Sequence, residues 1–288
     1  MTDAAWYSVT PAVLAQHMAR RLLDSTATIS EKEEEEVQRA TYIMDACCGV
    51  GGNTIALAQE HPQATIIAVD IDRTSLECLA HNAVTIYGIP VERLVLVQAD
   101  VVQVLQCYEN GQLRAKGGWH SAEPTHARLP TNDHDAVASS SQRLPTIHTM
   151  TTTAEYSSCL PATLDAVFLS PPWGGMDYSH QRHFTLDAIA LEGAERTLLQ
   201  SAVTACPAHL AYYLPRNTNG FSLGTDIQRH CQLAGSVELE QLYVHHKLKA
   251  VVLYVHTEVK DDASTVATAV KEKGKAADKW YTGGCCIS

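Results

Sequence analysis

A polar residue, two prolines and an aromatic residue follow one another at Ser170, Pro171, Pro172 and Trp173, directly after the largely apolar run 165–169. The prolines fix the torsion angle φ and carry no N–H group, so the carbonyl groups around them can face a ligand. A carbonyl group beside an indole ring suits a flat molecule with an exocyclic amine, such as a nucleobase. The alternative is a strand-ending turn with Trp173 in the core, and the tetrad alone favours neither.

A second short run, residues 42–45, ends in Asp45 and leads into a glycine-rich segment. Gly49, Gly51 and Gly52 let the chain turn tightly and approach a ligand closely before a helix that begins near Asn53. The spacing differs from the G-x-G-x-x-G pattern of dinucleotide enzymes. A carboxylate four residues before the first glycine repels a pyrophosphate and attracts a cationic amino-acid group. The segment therefore favours S-adenosylmethionine, whose sulfonium and ammonium groups are positive, over NAD.

Two further predicted strands lead to acidic residues. Residues 65–69 precede Asp70, about 20 residues past the glycines, where a carboxylate can accept hydrogen bonds from ribose hydroxyl groups. The third strand, residues 94–97, leads to Asp100, which is expected to accept a hydrogen bond from the adenine amine. The candidate cofactor-binding residues are Asp45, Cys47, Gly49, Gly51, Asn53, Thr54, Asp70, Ile71, Asp72, Asp100 and Ser170.

These segments resemble the methyltransferase domain of the trimethylguanosine synthase family, the RNA cap guanine-N2 methyltransferases. The motifs that carry the resemblance are residues 6–11, 45–54, 69–72, 81–83, 87–89, 168–175, 213–217 and 247–249. The Ser-Pro-Pro-Trp-Gly-Gly and Val-Thr-Pro motifs discriminate best, because glycine loops and acid-tipped strands belong to S-adenosylmethionine methyltransferases at large. Family members carry an aromatic and basic segment before the first motif, where this chain has five residues. A shortened N-terminus and a relative with weakened cap binding are the two alternatives, and in both the cofactor site is expected to be intact.

The resemblance implies methylation of the exocyclic N2 of a 7-methylguanosine RNA cap with S-adenosylmethionine as cofactor. The products would be 2,7-dimethyl- or 2,2,7-trimethylguanosine caps on small RNAs, in the nucleus, with the nucleolus possible, or in the cytoplasm, and not outside the cell. Ser170, Pro171, Pro172 and Trp173 are the implied catalytic residues, and Trp173 also stacks on the cap base. The other implied cap-binding residues are Ser8, Thr10, Tyr178, Arg216, Lys247 and Lys249, with the lysines as triphosphate contacts.

Composition agrees with an intracellular enzyme that reads one terminal nucleotide. The nine cysteines are scattered, which fits a reducing compartment rather than a disulfide framework. The 14 histidines show no metal-ligand spacing, so no metal is expected. A net charge of −11 argues against a protein that grips a long nucleic acid. Two alternatives stay open: an amino-methyltransferase acting on adenine N6 or guanine N2 within RNA or DNA, and a catalytically silent cap- or partner-binding paralogue.

Alternating apolar strands and helical stretches predict one α/β unit, and the resemblance implies a Rossmann-like class I methyltransferase with seven strands. The sheet is expected to be mostly parallel with a C-terminal antiparallel hairpin. The predicted units are an N-terminal helical segment at 1–40 that contributes to the substrate site, a methyltransferase domain at 41–258, and a flexible tail at 259–288. The first helix is predicted to start with Thr10 as N-cap.

Two segments depart from this regular pattern. Residues 106–163 are rich in Ser, Thr, His, Gly and Pro, and are predicted to be a disordered surface insertion. The last four residues, beginning at Cys285, fit the C-a-a-X prenylation motif and follow several lysines. Membrane association is expected only if that cysteine is prenylated, and the oligomeric state is left open.

Overall fold

The computed structural model describes residues 9–23, 41–113, 143–173, 182–186, 198–206, 209–230, 235–257 and 282–287. Its strands are β1 (Thr41–Ala46), β2 (Ala64–Asp70), β3 (Leu94–Gln98), β4 (Ile147–Thr149), β5 (Ala166–Leu169), β6 (His209–Pro215), β7 (Gly235–Val244), β8 (Lys247–Thr257) and β9 (Thr282–Ile287). Its helices are α1 (Ala12–Leu22), α2 (Gly52–Glu60), α3 (Arg73–Ala80), α4 (Val101–Glu109), α5 (Thr153–Cys159), α6 (Leu198–Ala205) and α7 (Gly220–His230). A π-helical turn at His81–Ile86 continues α3, and Val91–Arg93 forms a 3₁₀ turn.

The described strands form one sheet in the order β4-β3-β2-β1-β5-β6-β8-β7-β9. Strands β1 to β6 are parallel to one another, whereas β8 runs antiparallel to both of its neighbours, β6 and β7. The chain leaves β1 towards β2 on one side and later returns to pair β5 on the other side. Open α/β sheets bind their ligands at such a reversal, outside the carboxyl ends of the strands.

The central strands are apolar on both faces because helices cover both faces. All four residues of β5 are buried, and β2 buries a run from Ile66 to Val69. One face packs on α1, α2 and α3 through residues such as Met18 and Leu76. The other face packs on α4, α5, α6 and α7 through residues such as Leu105 and Ile227. No helix in the described part of the chain is long and apolar enough to cross a membrane.

The α/β class, the mostly parallel sheet and the antiparallel C-terminal hairpin are confirmed. Seven strands match the expected set, and β4 and β9 are additional edge strands. Strand β4 and helix α5 lie inside the predicted insertion at 106–163, and α4 continues through its first residues. The predicted insertion therefore extends too far at both ends, because elements this short show little hydrophobic periodicity in the sequence. Residues 114–142 lie outside the described residues.

The first helix begins one residue later than predicted. Pro11 is the N-cap residue instead of Thr10, and it contributes no side-chain hydrogen bond. The carbonyl of Pro11 accepts hydrogen bonds from the N–H groups of Leu14 and Ala15 at 2.9 and 3.0 Å. Thr10 is only 6% exposed and lies at the amino end of α1.

Candidate cofactor and base-binding site

The loop between β1 and α2 has an unusual backbone. Cys47, Gly49 and Gly51 have positive φ values of 67°, 53° and 93°. A Cβ atom at Gly51 would lie 2.6 Å from Cγ of Leu79, so both the backbone torsion and the space require glycine there. Cys47 holds a left-handed conformation without being glycine, which costs on the order of 1–3 kcal/mol and is typical of ligand-binding loops.

Asp70 attaches this loop to the end of β2. Its carboxylate accepts hydrogen bonds from the N–H groups of Gly49 at 2.7 Å and Asp72 at 2.9 Å. The N–H group of Cys48 also donates to the carbonyl of Val69 at 2.9 Å. Burial raises the pKa of Asp70, and the charge of Asp72 adds to the rise, while the backbone hydrogen bonds oppose it. The predicted ribose-binding carboxylate is therefore also the group that shapes the glycine loop.

Asp45 is fully buried beside the loop. The hydroxyl of Thr54 donates to Oδ2 of Asp45 at 2.5 Å, and both residues are 0% exposed. Oδ1 of Asp45 has no hydrogen-bond partner among the described residues. Burial above all, helped by the charge of Asp70, raises the pKa of Asp45 to about 7, against the hydrogen bond from Thr54. A cationic group brought nearby would stabilise the ionised form of this carboxyl group.

Ser170 connects the end of β5 to the same loop. Its hydroxyl donates to the carbonyl of Cys47 at 3.3 Å, and the amide nitrogen of Asn53 donates to the Ser170 oxygen at 3.3 Å. The N–H group of Ser170 donates to the carbonyl of Ala46, also at 3.3 Å. The side-chain oxygen of Asn53 is buried and has no hydrogen-bond partner in the described chain. Such orphaned acceptors beside a glycine loop fit a ligand that brings donors of its own.

Trp173 is half-buried at the carboxyl edge of the sheet and packs against the hydrophobic clusters of both faces. Its indole N–H donates to the carbonyl of Tyr213 at 3.3 Å, and the two ring centroids are 5.0 Å apart at 42°. Pro171 is buried, whereas Pro172 is exposed. Within the tetrad, Pro172 is therefore the exposed residue, whereas Trp173 is partly covered by the core.

Two of the predicted cofactor acids serve as helix caps. Asp72 accepts hydrogen bonds from the N–H groups of Thr74 and Ser75, and also from the Ser75 hydroxyl, at the start of α3. Asp100 accepts from the N–H group of Val102 at 2.9 Å at the start of α4. Their carboxylates therefore also stabilise the starts of two helices, a role that the sequence interpretation did not assign to them.

The remaining predicted residues are distributed along the same edge. Ile71 follows β2 and is 73% exposed. Arg216 is exposed directly after β6, and Lys247 and Lys249 are exposed at the start of β8. Ser8 and Tyr178 lie outside the described residues. Among the side chains that the structure describes, no group of three or more His, Cys, Asp or Glu is arranged to hold a metal ion.

Sequence reasoning missed the role of Tyr213 as the support of Trp173. Tyr213 belongs to a recognised motif, but no pattern in the sequence indicates which way its carbonyl group faces. The adjacency of β5 and β6, which pair Leu169 with Tyr212, brings the two residues together. The topology of a parallel sheet would have suggested this neighbourhood, though not the hydrogen bond.

The sequence profile described as RNA cap guanine-N2 methyltransferase matches residues 40–260. The chain belongs to this family. It is 27% identical over 215 residues to the trimethylguanosine synthase of Schizosaccharomyces pombe, covering 75% of this chain and 62% of the relative. It is 26% identical over 219 residues to the trimethylguanosine synthase of Saccharomyces cerevisiae, covering 76% of this chain and 49% of the relative. The chain thus spans about half to two thirds of the length of these curated relatives.

Solved structures are more distant. A SAM-dependent methyltransferase from Agrobacterium tumefaciens shares 9% identity at a TM-score of 0.46, covering 87% of this chain and 63% of its own. TrmN from Thermus thermophilus shares 14% identity at a TM-score of 0.45, covering 88% of this chain and 51% of its own. The sheet order and the family match show the fold class. The family gives this chain S-adenosylmethionine as its cofactor, and the orphaned oxygens of Asp45 and Asn53 beside the glycine loop fit it.

Proposed function

We propose that this chain transfers a methyl group from S-adenosylmethionine to the exocyclic N2 of a 7-methylguanosine RNA cap. The single observation that carries the proposal is the position of Ser170, which is hydrogen-bonded to the cofactor loop through Cys47 and Asn53. Three residues later, Trp173 offers an aromatic surface at the same edge of the sheet. A methyl donor and a stacked base would therefore be neighbours.

Recognition of the cap base is assigned to Trp173. A 7-methylated guanine carries a positive charge, so an indole face attracts it by cation–π interaction worth roughly 0.5–2 kcal/mol. The hydrogen bond from the indole N–H to Tyr213 and the packing of the two rings support a fixed orientation of Trp173. A ring that is already ordered loses less entropy when a base stacks on it, and the positive charge of the 7-methylated base adds the preference for that base.

The residues between Ser170 and Trp173 are assigned the orientation of the exocyclic amine. Carbonyl groups beside the two prolines would accept hydrogen bonds from the amine and direct its lone pair towards the donor. Bound S-adenosylmethionine would supply an electrophilic methyl group and would leave as S-adenosylhomocysteine once its carbon–sulfur bond is replaced by the new carbon–nitrogen bond. The alkylated amine then loses its proton to solvent, so no strong base is required. Correct orientation alone is worth about 7–11 kcal/mol, which makes positioning the main catalytic contribution.

The cap phosphates are assigned to basic residues of this edge. Arg216, Lys247 and Lys249 are exposed, and β6 and β8 pair so that Pro215 faces Ala250. Three cations at one edge suit a triphosphate even though the whole chain carries a net charge of −11. The proposal extends to 2,7-dimethyl- or 2,2,7-trimethylguanosine caps on small RNAs, formed in the nucleus or cytoplasm.

The deciding experiment offers the purified chain labelled S-adenosylmethionine together with 7-methyl-GDP, GDP or an uncapped RNA. We expect label on 7-methyl-GDP alone, and loss of this transfer in a Trp173→Ala variant that still binds S-adenosylhomocysteine by calorimetry. Label on uncapped RNA would instead identify an amino-methyltransferase of internal bases. Cofactor binding without transfer to any acceptor would identify a catalytically silent relative.

A further inference from the structure

The turn between β7 and β8 has a backbone that its residues do not favour. His245 and His246 have positive φ values of 50° and 59°, and Val244 pairs with Lys247 across the turn. A two-residue hairpin turn with both φ values positive normally contains Asn or Gly. Apart from Cys47 in the cofactor loop, these are the only non-glycine residues with positive φ in the described part of the chain. Backbone strain of this kind concentrates at ligand-binding positions.

A bulge lies directly beside this turn. Leu242 pairs with Ala250 and Tyr243 pairs with Leu248, so Lys249 has no opposite residue in β7. Such bulges re-aim a side chain and occur often next to active sites. We name residues 245–249 the basic tip, since it contains two histidines and two lysines. His245, His246, Lys247 and Lys249 are all exposed.

The basic tip lies at the edge of the sheet that carries the candidate site. Strand β8 runs antiparallel to β6 with Ala250 opposite Pro215, and Arg216 follows. Lys247 is three residues beyond Ala250, so the tip projects roughly 10 Å past the level of Pro215 at about 3.3 Å per residue. The indole N–H of Trp173 donates to the carbonyl of Tyr213. Tyr213 lies two residues before Pro215 on β6, the strand next to β8. A nucleotide chain leaving a cap held at Trp173 past Arg216 would meet the tip next.

The chemistry of the tip suits single-stranded RNA. Lysine ammonium groups neutralise backbone phosphates, and imidazole rings stack on unpaired bases and donate hydrogen bonds. We propose that His245 and His246 of the basic tip bind the first nucleotides that follow the cap, beside the lysines assigned to the cap phosphates, so that the chain prefers a capped oligoribonucleotide to the isolated cap nucleotide. This inference rests on the proposed function, because it assumes a cap at Trp173.

The test compares two ligands on the full chain: 7-methyl-GDP and a 3′-labelled, 7-methylguanosine-capped RNA of ten nucleotides. Fluorescence anisotropy gives the Kd of the RNA, and competition gives that of 7-methyl-GDP. We expect the capped RNA to bind roughly fivefold more tightly or better, the lower end of what one stacked base contributes. In the His245→Asn/His246→Asn variant this ratio should fall towards one, because asparagine keeps the left-handed turn and removes the rings.

A control at the opposite end of β8 is His256→Asn, which should leave the ratio unchanged. Replacing both lysines by Gln should lower the slope of log K against log salt by about 0.7 per lysine. Equal ratios for wild type and the double-Asn variant would overturn the inference. Failure of the wild type to methylate 7-methyl-GDP would instead count against the proposed function, while the anisotropy comparison still decides the role of the tip.

Discussion

The side-chain amide of Asn53 donates a hydrogen bond to the hydroxyl oxygen of Ser170 over 3.3 Å and so joins the first turn of α2 to the end of β5. The same hydroxyl donates to the carbonyl of Cys47, whose left-handed backbone belongs to the glycine loop. The glycine loop assigned to the cofactor and the Ser170–Trp173 tetrad assigned to the base therefore share one hydroxyl group. We therefore expect a displacement of the glycine loop to displace the tetrad as well, and the reverse.

Replacing Ser170 by Ala removes both of these hydrogen bonds and leaves the amide nitrogen of Asn53 without its partner. We expect the free energy of unfolding to fall by about 1–3 kcal/mol, because an unsatisfied buried donor costs that much. Methyl transfer to 7-methyl-GDP should fall at least tenfold in kcat, because the amine is no longer oriented. Urea denaturation and steady-state kinetics measure the two effects. The control is Ser201→Ala, a buried hydroxyl on α6, for which a loss of kcat as large as that of Ser170→Ala would contradict the assignment.

Two substitutions of Trp173 are expected to weaken recognition of the base to different extents. In Trp173→Phe the ring remains but the N–H donor to the Tyr213 carbonyl is lost, so KM for 7-methyl-GDP should rise severalfold. In Trp173→Ala the stacking surface is lost, and the preference for 7-methyl-GDP over GDP should disappear. Competition binding of the two nucleotides measures this preference. A Trp173→Ala variant that keeps the preference would show that another residue stacks on the base.

The common location of the acidic residues at the strand ends was predictable. Each acid follows an apolar run, and the carboxyl ends of parallel strands meet at one edge of the sheet. Asp45, Asp70 and Ser170 were assigned to one site on this ground. Hydrogen bonds join Asp70 and Ser170 to the glycine loop and Asp45 to Thr54 in the helix that follows the loop. The capping role of Asp72 was missed, although an acid followed by Arg73, Thr74 and Ser75 is a recognisable helix start. An aspartate at this position can bind a cofactor or cap a helix, and the sequence interpretation assigned only the first role.

Other features depend on tertiary contacts that no local pattern reports. Strand β4 has three residues and forms only because β3 offers it an edge. Glu240 alternates with apolar residues along β7, so the sequence indicates a solvent-facing acid, yet it is only 2% exposed. Helix α1, distant in sequence, covers that face of the strand and supplies His17 as its partner. Burial of this carboxylate follows from the packing of the helix and not from the strand itself.

Asp45 should make both stability and cofactor binding depend on pH. Its folded-state pKa is raised from 3.8 to about 7, so its stabilising effect is complete below pH 3.8 and is lost as the pH rises towards 7. The loss is on the order of 4 kcal/mol at 1.36 kcal/mol per unit. The variant Asp45→Asn has no such titration, so its unfolding free energy relative to wild type should increase from pH 4 to pH 7.

The cationic cofactor favours the ionised form of Asp45, so the sign for binding is opposite. Affinity for S-adenosylhomocysteine, whose ammonium group is retained, should increase as the pH rises towards 7, with proton release on binding below that pH. Calorimetry in buffers of different ionisation enthalpy measures the released protons. In Asp45→Asn the affinity should be lower and nearly independent of pH in this range. An unchanged pH profile in that variant would assign the titration to another group.

Glu240 is expected to hold α1 in place. Its carboxylate contacts His17 and Arg21, each at 3.0 Å, and accepts from the Tyr254 hydroxyl at 3.2 Å. Burial opposes ionisation, yet the hydrogen bonds and charges of His17 and Arg21 outweigh it and lower the pKa of Glu240. Its contribution to stability is therefore present at neutral pH and is lost as the pH falls through that lowered value.

Replacing Glu240 by Gln should destabilise the chain by about 1–3 kcal/mol, because the buried carboxylate that accepts from Tyr254 and contacts His17 and Arg21 loses its charge, while Arg21 keeps Glu238 as its partner. The matched control is Glu238→Gln, since Glu238 also binds Arg21, at 2.7 Å, but its side chain is 31% exposed. This change should cost no more than about 1 kcal/mol. Because α1 carries Thr10 at its amino end, Glu240→Gln should also raise KM for 7-methyl-GDP while leaving the Kd of S-adenosylhomocysteine unchanged. Denaturation, kinetics and calorimetry separate these effects, and equal losses in both variants would show that Glu240 has no special role in fixing the helix.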